Sequence, residues 1–397
     1  MPDANGVVAR IELQHFQTNS NAGKVDVALQ PTDAAFSQLV DNNVDLAITK
    51  VAIPANVADT VVARGGTDPR DLSRERVIAL DAVVPLVHPN NPVRSVSLEE
   101  LALIASGRIR NWSELGGDDL PIQMLLPAEG SSLDQAFTEL VLDPNRVHLR
   151  RSAQRAASAR AAAAAVAANE AAITVTSLSE ADQGEVLPIR QTCGPLAYAT
   201  DFAIKAEEYP LSRRVFAYTG DAVQSSTGND FVEYLTSADA QPLIAQAGYV
   251  DQVVVSEPIS LQGTRMTSAI LSATTGATLG LVQNFSRDLA TADRLSTTFR
   301  FTSGSARLDN KSIEDVQRMV DFLNSPEARN REVLIIGFTD DVGRFDLNER
   351  LALLRATSVR EALVSAVGGD VLAGRMSVSS YGPLAPVGCN ATAAGRE

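Results

Sequence analysis

Histidine and cysteine are scarce in this chain, which has three His and two Cys in 397 residues. His15, His88 and His148 are scattered, and Cys193 and Cys389 fall in different halves. Neither residue type reaches metal-ligand spacing, and no catalytic base stands out, so no metal and no cofactor is expected. The two cysteines fit either two buried thiols or one interdomain disulfide. Basic residues are also few: 34 Lys and Arg against 48 Asp and Glu give a net charge of −14. With no basic run, a nucleic-acid partner is not expected. No apolar stretch approaches the length of a membrane span. The opening Met1–Gly6 lacks the basic region and apolar core of a secretory signal. Also missing are a nucleophile elbow, a phosphate-cradling Gly-rich loop and a paired-carboxylate signature, so the reading is non-enzymatic.

What is present suits two or three globular domains, with 45% hydrophobic and 21% charged residues. Across residues 1–255 short apolar strands alternate with helical stretches, which points to an α/β architecture. Strands are expected at Val25–Leu29, Val44–Thr49, Val83–Val87, Ile122–Leu126 and Ala172–Thr176. A helix is expected over Thr32–Val40, and Ser97-Leu-Glu-Glu100 has the form of a capping box opening another. The alanine-rich stretch Arg155–Ala172 reads as an exposed helix, since alanine has the highest helix propensity. Residues 253–294 hold no low-complexity tether and read as a connector of one or two helices, interrupted near Thr274–Gly276 and Gly280.

The most informative stretch lies near the C-terminus. Val333-Leu-Ile-Ile-Gly-Phe-Thr-Asp340 reads as a buried strand delivering Asp340 to a loop that opens at Gly343. Asp346-Leu-Asn-Glu349 then resembles a capping box, with Asp346 as N-cap. On the following helix Asn348, Leu351 and Arg355 share one face beside the strand end. A carboxylate and a guanidinium brought together this way suit a zwitterion, the Arg forking onto its carboxylate and the Asp taking its ammonium. The bland alternative is a surface salt bridge.

These residues, with Thr298-Phe-Arg-Phe301 as a first strand, Leu308, Ser380-Tyr-Gly-Pro383, Pro386 and Asn390-x-Thr392-x-x-Gly395-Arg396, resemble the OmpA-like peptidoglycan-binding domain. The resemblance implies a small α+β domain over 295–397. In it Asp340 and Arg355 would hold the diaminopimelate of the wall peptide, with Phe301, Asn348 and Leu351 shaping the pocket. The family continues past Gly-Arg into a further strand, which this sequence does not reach.

A second resemblance is carried by Asp81-x-x-x-Pro-Leu-Val-His-Pro-Asn-Asn-Pro92, Ser97–Leu101, and Ile104-x-x-Gly107-x-Ile109-x-Asn-Trp112-x-Glu-Leu-Gly-Gly117. Tyr209-Pro-Leu-Ser-Arg213 and Phe231-x-x-Tyr-Leu235 through Gly248-Tyr-Val250 agree. Together they are similar to the phosphate-type periplasmic substrate-binding proteins. The resemblance implies a two-lobed α/β module over 1–252 that closes on a small oxyanion such as phosphate. The likeness begins after the family's first strand and helix, so the first lobe is expected to be truncated. Donors at strand-to-helix junctions would be Thr32, Thr49, Lys50, Ser131 and Ser132. Where the family carries Arg, two residues and Gly-Ser-Gly-Thr, this chain has Pro127 and Gly130-Ser-Ser-Leu133. Lys50 stands where the family often has an acidic residue or Arg. Gly130–Ser132 can equally be a helix N-cap after a turn.

The expected map is thus a binding-protein module (1–252), a helical connector (253–294) and a wall-binding domain (295–397). The resemblances imply an envelope protein of the periplasm, with peptidoglycan, a small anion and an ABC permease as partners. The other reading is a structural protein whose first module has lost its ligand and serves as a spacer or protein-interaction domain.

Overall fold

Between Val77 and Val87 the chain is apolar at every position but Asp81, and such a run must be covered on both faces. It forms one strand of 13 residues, Glu75–Val87, longer than the expected Val83–Val87 and buried from Val77 onward. The computed structural model describes residues 26–28, 30–150, 153–191, 196–221, 226–261, 279–301, 305–367 and 373–384. Val25 and Leu29 of the expected first strand lie outside these residues, as do Cys193, Cys389, Thr274–Gly276, Pro386 and Asn390–Arg396.

The chain divides into two compact units. The first comprises Met1–Arg190, Tyr198–Ile204 and Leu211–Gln252; the second comprises Gln191–Ala197, Lys205–Pro210 and Val253–Glu397. From its start the chain runs through α1 (Thr32–Val40), β1 (Leu46–Thr49), α2 (Ala55–Ala63), β2 (Glu75–Val87), α3 (Leu98–Ser106) and β3 (Gln123–Leu126). It continues through α4 (Ser132–Phe137), β4 (Gln154–Arg155), α5 (Ala159–Ala167), β5 (Ala172–Ser177) and β6 (Glu185–Val186). Next come α6 (Asp201–Lys205), β7 (Ser212–Thr219), α7 (Ser226–Thr236) and α8 (Gln241–Gln246).

Strand order in the first unit is β1-β7-β2-β5-β3-β4, with β6 on β2. The long β2 serves two ladders. Its first half pairs with β7 as far as Ala82↔Ser212, and its second half pairs with β5 from Val83↔Ser177 onward. The partner changes within two residues of Asp81. On one side Ile78, Val215, Phe231, Leu235, Ile244 and Tyr249 form a core under β2 and β7. Further along, Trp112 is buried and its indole N–H donates to Ala171 O at 3.1 Å. Ser97 caps α3 in a capping box with Glu100, as its sequence implies.

The alanine stretch departs from expectation. Gln154 and Arg155 form β4, and the helix α5 runs only from Ala159 to Ala167 with Ser158 as N-cap. It is not exposed throughout, because Ala162, Ala163 and Val166 are buried. Side chains this small let α5 lie close against β5.

In the second unit β8 (Ser256–Pro258) pairs antiparallel with β9 (Asp293–Leu295), and α9 (Leu279–Leu289) lies between them in sequence. The expected connector therefore contributes strands as well as a helix, and Gly280 sits inside α9 without interrupting it. The helix α10 (Asn310–Asn324) follows, capped by Asp309, then β10 (Val333–Gly337), α11 (Phe345–Val367) and β11 (Met376–Ser380). Strands β10 and β11 are parallel, as strands joined through a helix usually are. Val316, Met319, Val320, Leu323, Val359 and Leu363 hold the helices together.

Three local expectations are corrected here. Thr298–Phe301 forms no strand: Phe301 makes one isolated bridge to Leu308, and Arg300 N donates to the Ser312 hydroxyl. Strand β10 is half-buried rather than buried, except at Gly337. Asp346 is not the N-cap of α11, because the first turn closes on the Arg344 carbonyl, to which Asn348 N donates. Asp346 instead pairs with the Arg344 side chain.

Candidate functional sites

In the second unit, Gly337 fixes where the strand meets the helix. A Cβ there would stand 1.9 Å from Ala352 O, so only glycine lets α11 pack this closely on the end of β10. Three residues on, Asp340 Oδ1 accepts from Val342 N at 2.9 Å, turning the chain toward Gly343. Asn348 is buried, and its amide donates to the carbonyls of Asp340 (3.2 Å) and Val342 (3.1 Å). Asn348 thus staples the loop from below. About two turns along α11, the Arg355 guanidinium lies over the Phe301 ring, 5.1 Å from its centroid, and its Nε donates to Ser305 O at 3.1 Å. Partial burial lowers the Arg355 pKa while the Asp340 charge pulls it back up. No ion pair joins the two among the described residues, yet both line one cavity of about 1210 Å³, with Phe301 and Thr339 on the same walls. The Thr339 hydroxyl is buried and has no hydrogen-bond partner among the described residues. Leu351 lies half-buried on α11, outside that lining. An anion and a cation held on one wall by separate partners can each take the opposite charge of a zwitterion.

In the first unit, α1 begins at Thr32 and β1 ends at Thr49 as expected. No hydrogen bond among the described residues links the Thr32 side chain to the other four candidates. The buried Thr49 hydroxyl donates to Val51 O at 2.7 Å. Ser131 is the N-cap of α4, its hydroxyl accepting from Asp134 N at 3.2 Å. Ser132 opens that helix.

Lys50 sits in a buried charge cluster that sequence reasoning did not assemble. Its Nζ lies 3.1 Å from Asp81 Oδ2, donates to Ser177 Oγ at 3.1 Å, and stands 4.6 Å from the centre of the Tyr249 ring. Arg213 donates to the same Asp81 oxygen through Nε (3.1 Å) and Nη2 (2.8 Å), and Ser177 Oγ donates to it at 2.8 Å. Asp81 is 1% exposed. Burial alone would raise its pKa, but Lys50, Arg213, the Ser177 hydroxyl and the Ala82 N–H outweigh that and hold it well below the usual carboxylate range. Burial in turn lowers Lys50, against the pull of Asp81. The Arg213 Nη1 reaches Ser132 O at 3.4 Å, so the cluster touches the Gly130–Ser132 loop. The clue was Asp81 itself: a lone carboxylate inside an apolar strand has to find cations.

Comparisons with known proteins follow the same division. Residues 6–239 match the model of the PBP superfamily domain, and residues 300–397 match that of the OmpA family. Phosphate-binding protein PstS of Borreliella burgdorferi is 23% identical over 193 residues, which is 45% of this chain and 66% of that protein. Outer membrane porin F of Pseudomonas aeruginosa is 32% identical over 103 residues, 26% of this chain and 28% of the porin. The matches thus span only part of these relatives' lengths. In fold, the chain is similar to a structure from Clostridium perfringens described as a phosphate ABC transporter substrate-binding protein with bound phosphate. There the TM-score is 0.54 and the identity 22%, over 63% of this chain and 97% of that one. An ABC-type phosphate transport receptor from Vibrio cholerae gives a TM-score of 0.51 at 22% identity, over 62% of this chain and 94% of the receptor. The sheet built around one strand serving two ladders, and the match over residues 6–239, place this chain in the PBP superfamily, with an OmpA-family domain at residues 300–397.

Proposed function

We propose that this is a non-enzymatic binding protein of the cell envelope, in which residues 1–252 receive a small oxyanion of the phosphate class and residues 295–397 bind peptidoglycan. In the wall-binding domain Arg355 takes the carboxylate, and Asp340 the ammonium, of the diaminopimelate in the wall peptide. Phe301 orients the guanidinium, Asn348 holds the Asp340 loop, and Leu351 lies on the same helix. The observation that supports this best is the Asp340/Arg355 arrangement, with two opposite charges lining one cavity and no ion pair between them. The periplasm is the compartment that fits both ligands, and an ABC permease is the partner an anion receptor would serve.

The test is co-sedimentation of the purified protein with peptidoglycan. Wild type pellets, and Asp340→Ala and Arg355→Ala each weaken binding by about 2–4 kcal/mol, since each leaves an opposite charge without its partner. If both variants pellet like wild type, the wall site lies elsewhere.

A second reading, in which the first module binds no ligand and acts as a spacer or protein-interaction domain, is favoured by one observation. The ammonium of Lys50 is already taken by Asp81. Calorimetry with phosphate decides between the two readings: no heat at millimolar anion favours the spacer.

A further inference from the structure

An oxyanion among the candidate donors of the first unit needs a cation, and the two nearest to hand are committed. Lys50 faces Asp81 and Ser177. Arg213 gives Nε and Nη2 to Asp81 and turns Nη1 to Ser132 O. The loop from Pro127 to Ser132 is, however, bracketed by a second guanidinium that the sequence did not nominate. Arg155, on the two-residue strand β4, donates from Nη1 to Pro127 O at 2.9 Å and to Asp134 Oδ1 at 2.7 Å. Asp134 is tied to the same loop, its Oδ2 accepting from Gly130 N at 3.0 Å. Arg155 is thereby held at the start of the loop and Arg213 at its end. The two differ in what they have left to give. The Nε and Nη2 of Arg155 have no partner among the described residues, and its side chain is 27% exposed, open to a solute.

We propose that Arg155 is the oxyanion-binding cation of the first unit, presenting its free Nε/Nη2 edge to a tetrahedral anion at the Pro127–Ser132 loop. This rests on the anion-receptor reading above. The chemistry is that of a fork: two parallel N–H donors match two oxygens of a phosphate, which a lysine ammonium cannot do. Asp134 has two effects. It fixes the guanidinium plane through Nη1, and it subtracts one charge from the site, so the site holds its anion modestly.

Calorimetric titration of the full chain with inorganic phosphate, wild type beside three variants, tests the assignment. Arg155→Ala is expected to weaken binding tenfold or more, with its unliganded melting temperature close to wild type because the side chain is partly exposed. Arg155→Lys is expected to recover part of the affinity, and guanidinium ion added to Arg155→Ala to restore some of it. Asp134→Asn separates binding from loop support. If Arg155 contacts the anion, losing the neighbouring carboxylate leaves affinity equal or higher. If Arg155 only props the loop through that ion pair, affinity falls as it does in Arg155→Ala, and the proposal is overturned. Wild-type binding with an unchanged Arg155→Ala overturns the assignment while leaving the receptor reading intact. No binding by wild type removes both.

Discussion

Removing the charge at Asp81 should cost the first unit about as much as truncating a large core side chain, and the structure says why. Asp81→Asn keeps shape and one acceptor oxygen but takes away the carboxylate that pairs with both Lys50 and Arg213. Two cations then stay close together in a site where Lys50 and Arg213 are both largely buried. Breaking a buried ion pair by removing one partner costs ~3–5 kcal/mol, a large share of the ~5–15 kcal/mol that holds a typical domain. With a urea dependence of ~1–3 kcal/mol per molar, a loss of ~3 kcal/mol lowers the unfolding midpoint by ~1–3 M. The single Trp112, buried in the first unit, makes its fluorescence a reporter of that unit alone. Lys50→Met added to Asp81→Asn should return part of the loss, since it removes one stranded charge, and a double-mutant cycle would register the coupling. The sign of the pH effect follows from a native pKa held below the unfolded one. The Asp81 contribution is complete above the unfolded carboxylate value of ~3.9 and fades as acid carries the pH down toward the native one. Wild type and Asp81→Asn should therefore differ fully at neutral pH and converge only in strong acid. A midpoint shift below about 0.3 M, or a double variant no more stable than Asp81→Asn, would show that the cluster does not carry the energy assigned to it.

The second unit offers two further tests. Gly337→Ala forces a methyl into Ala352 O and should destabilise that unit by at least the ~1–3 kcal/mol of ordinary overpacking, read as a lower melting temperature by circular dichroism while Trp112 fluorescence melts as before. Asn348→Ala leaves the Asp340 and Val342 carbonyls without their donor and should cost ~1–3 kcal/mol and, by loosening the Asp340 loop, weaken peptidoglycan pelleting. Unchanged pelleting with lowered stability would assign Asn348 to the fold alone.

Sequence reasoning went furthest where the determining forces act over a few residues. The Ser97/Glu100 capping box, the helix starting at Thr32 and the strand at Val333 are set by side chain-to-backbone bonds and by apolar periodicity within one or two turns. It faltered where a neighbouring segment competes. The Asp346 cap lost to a turn closing two residues earlier on Arg344, and Thr298–Phe301 spends Arg300 N on a serine of α10 instead of a ladder.

The sequence alone determined that there are two families of motif in one chain, and it brought Asp340 at a strand end and Arg355 on the following helix toward one surface. These follow from spacing along a strand or a helix, which the polypeptide geometry converts directly into faces. Only the tertiary structure decided that the strand reaches back past Asp81 and what its charge would meet. Asp81 takes Arg213 from 132 positions away, and Lys50 reaches Ser177 across 127. It also decided that Arg155 comes to lie beside Pro127, 28 residues earlier in the chain. Pairings of this kind depend on which strands become neighbours. No local pattern encodes that choice, because it is made by burying whole faces of the sheet at once.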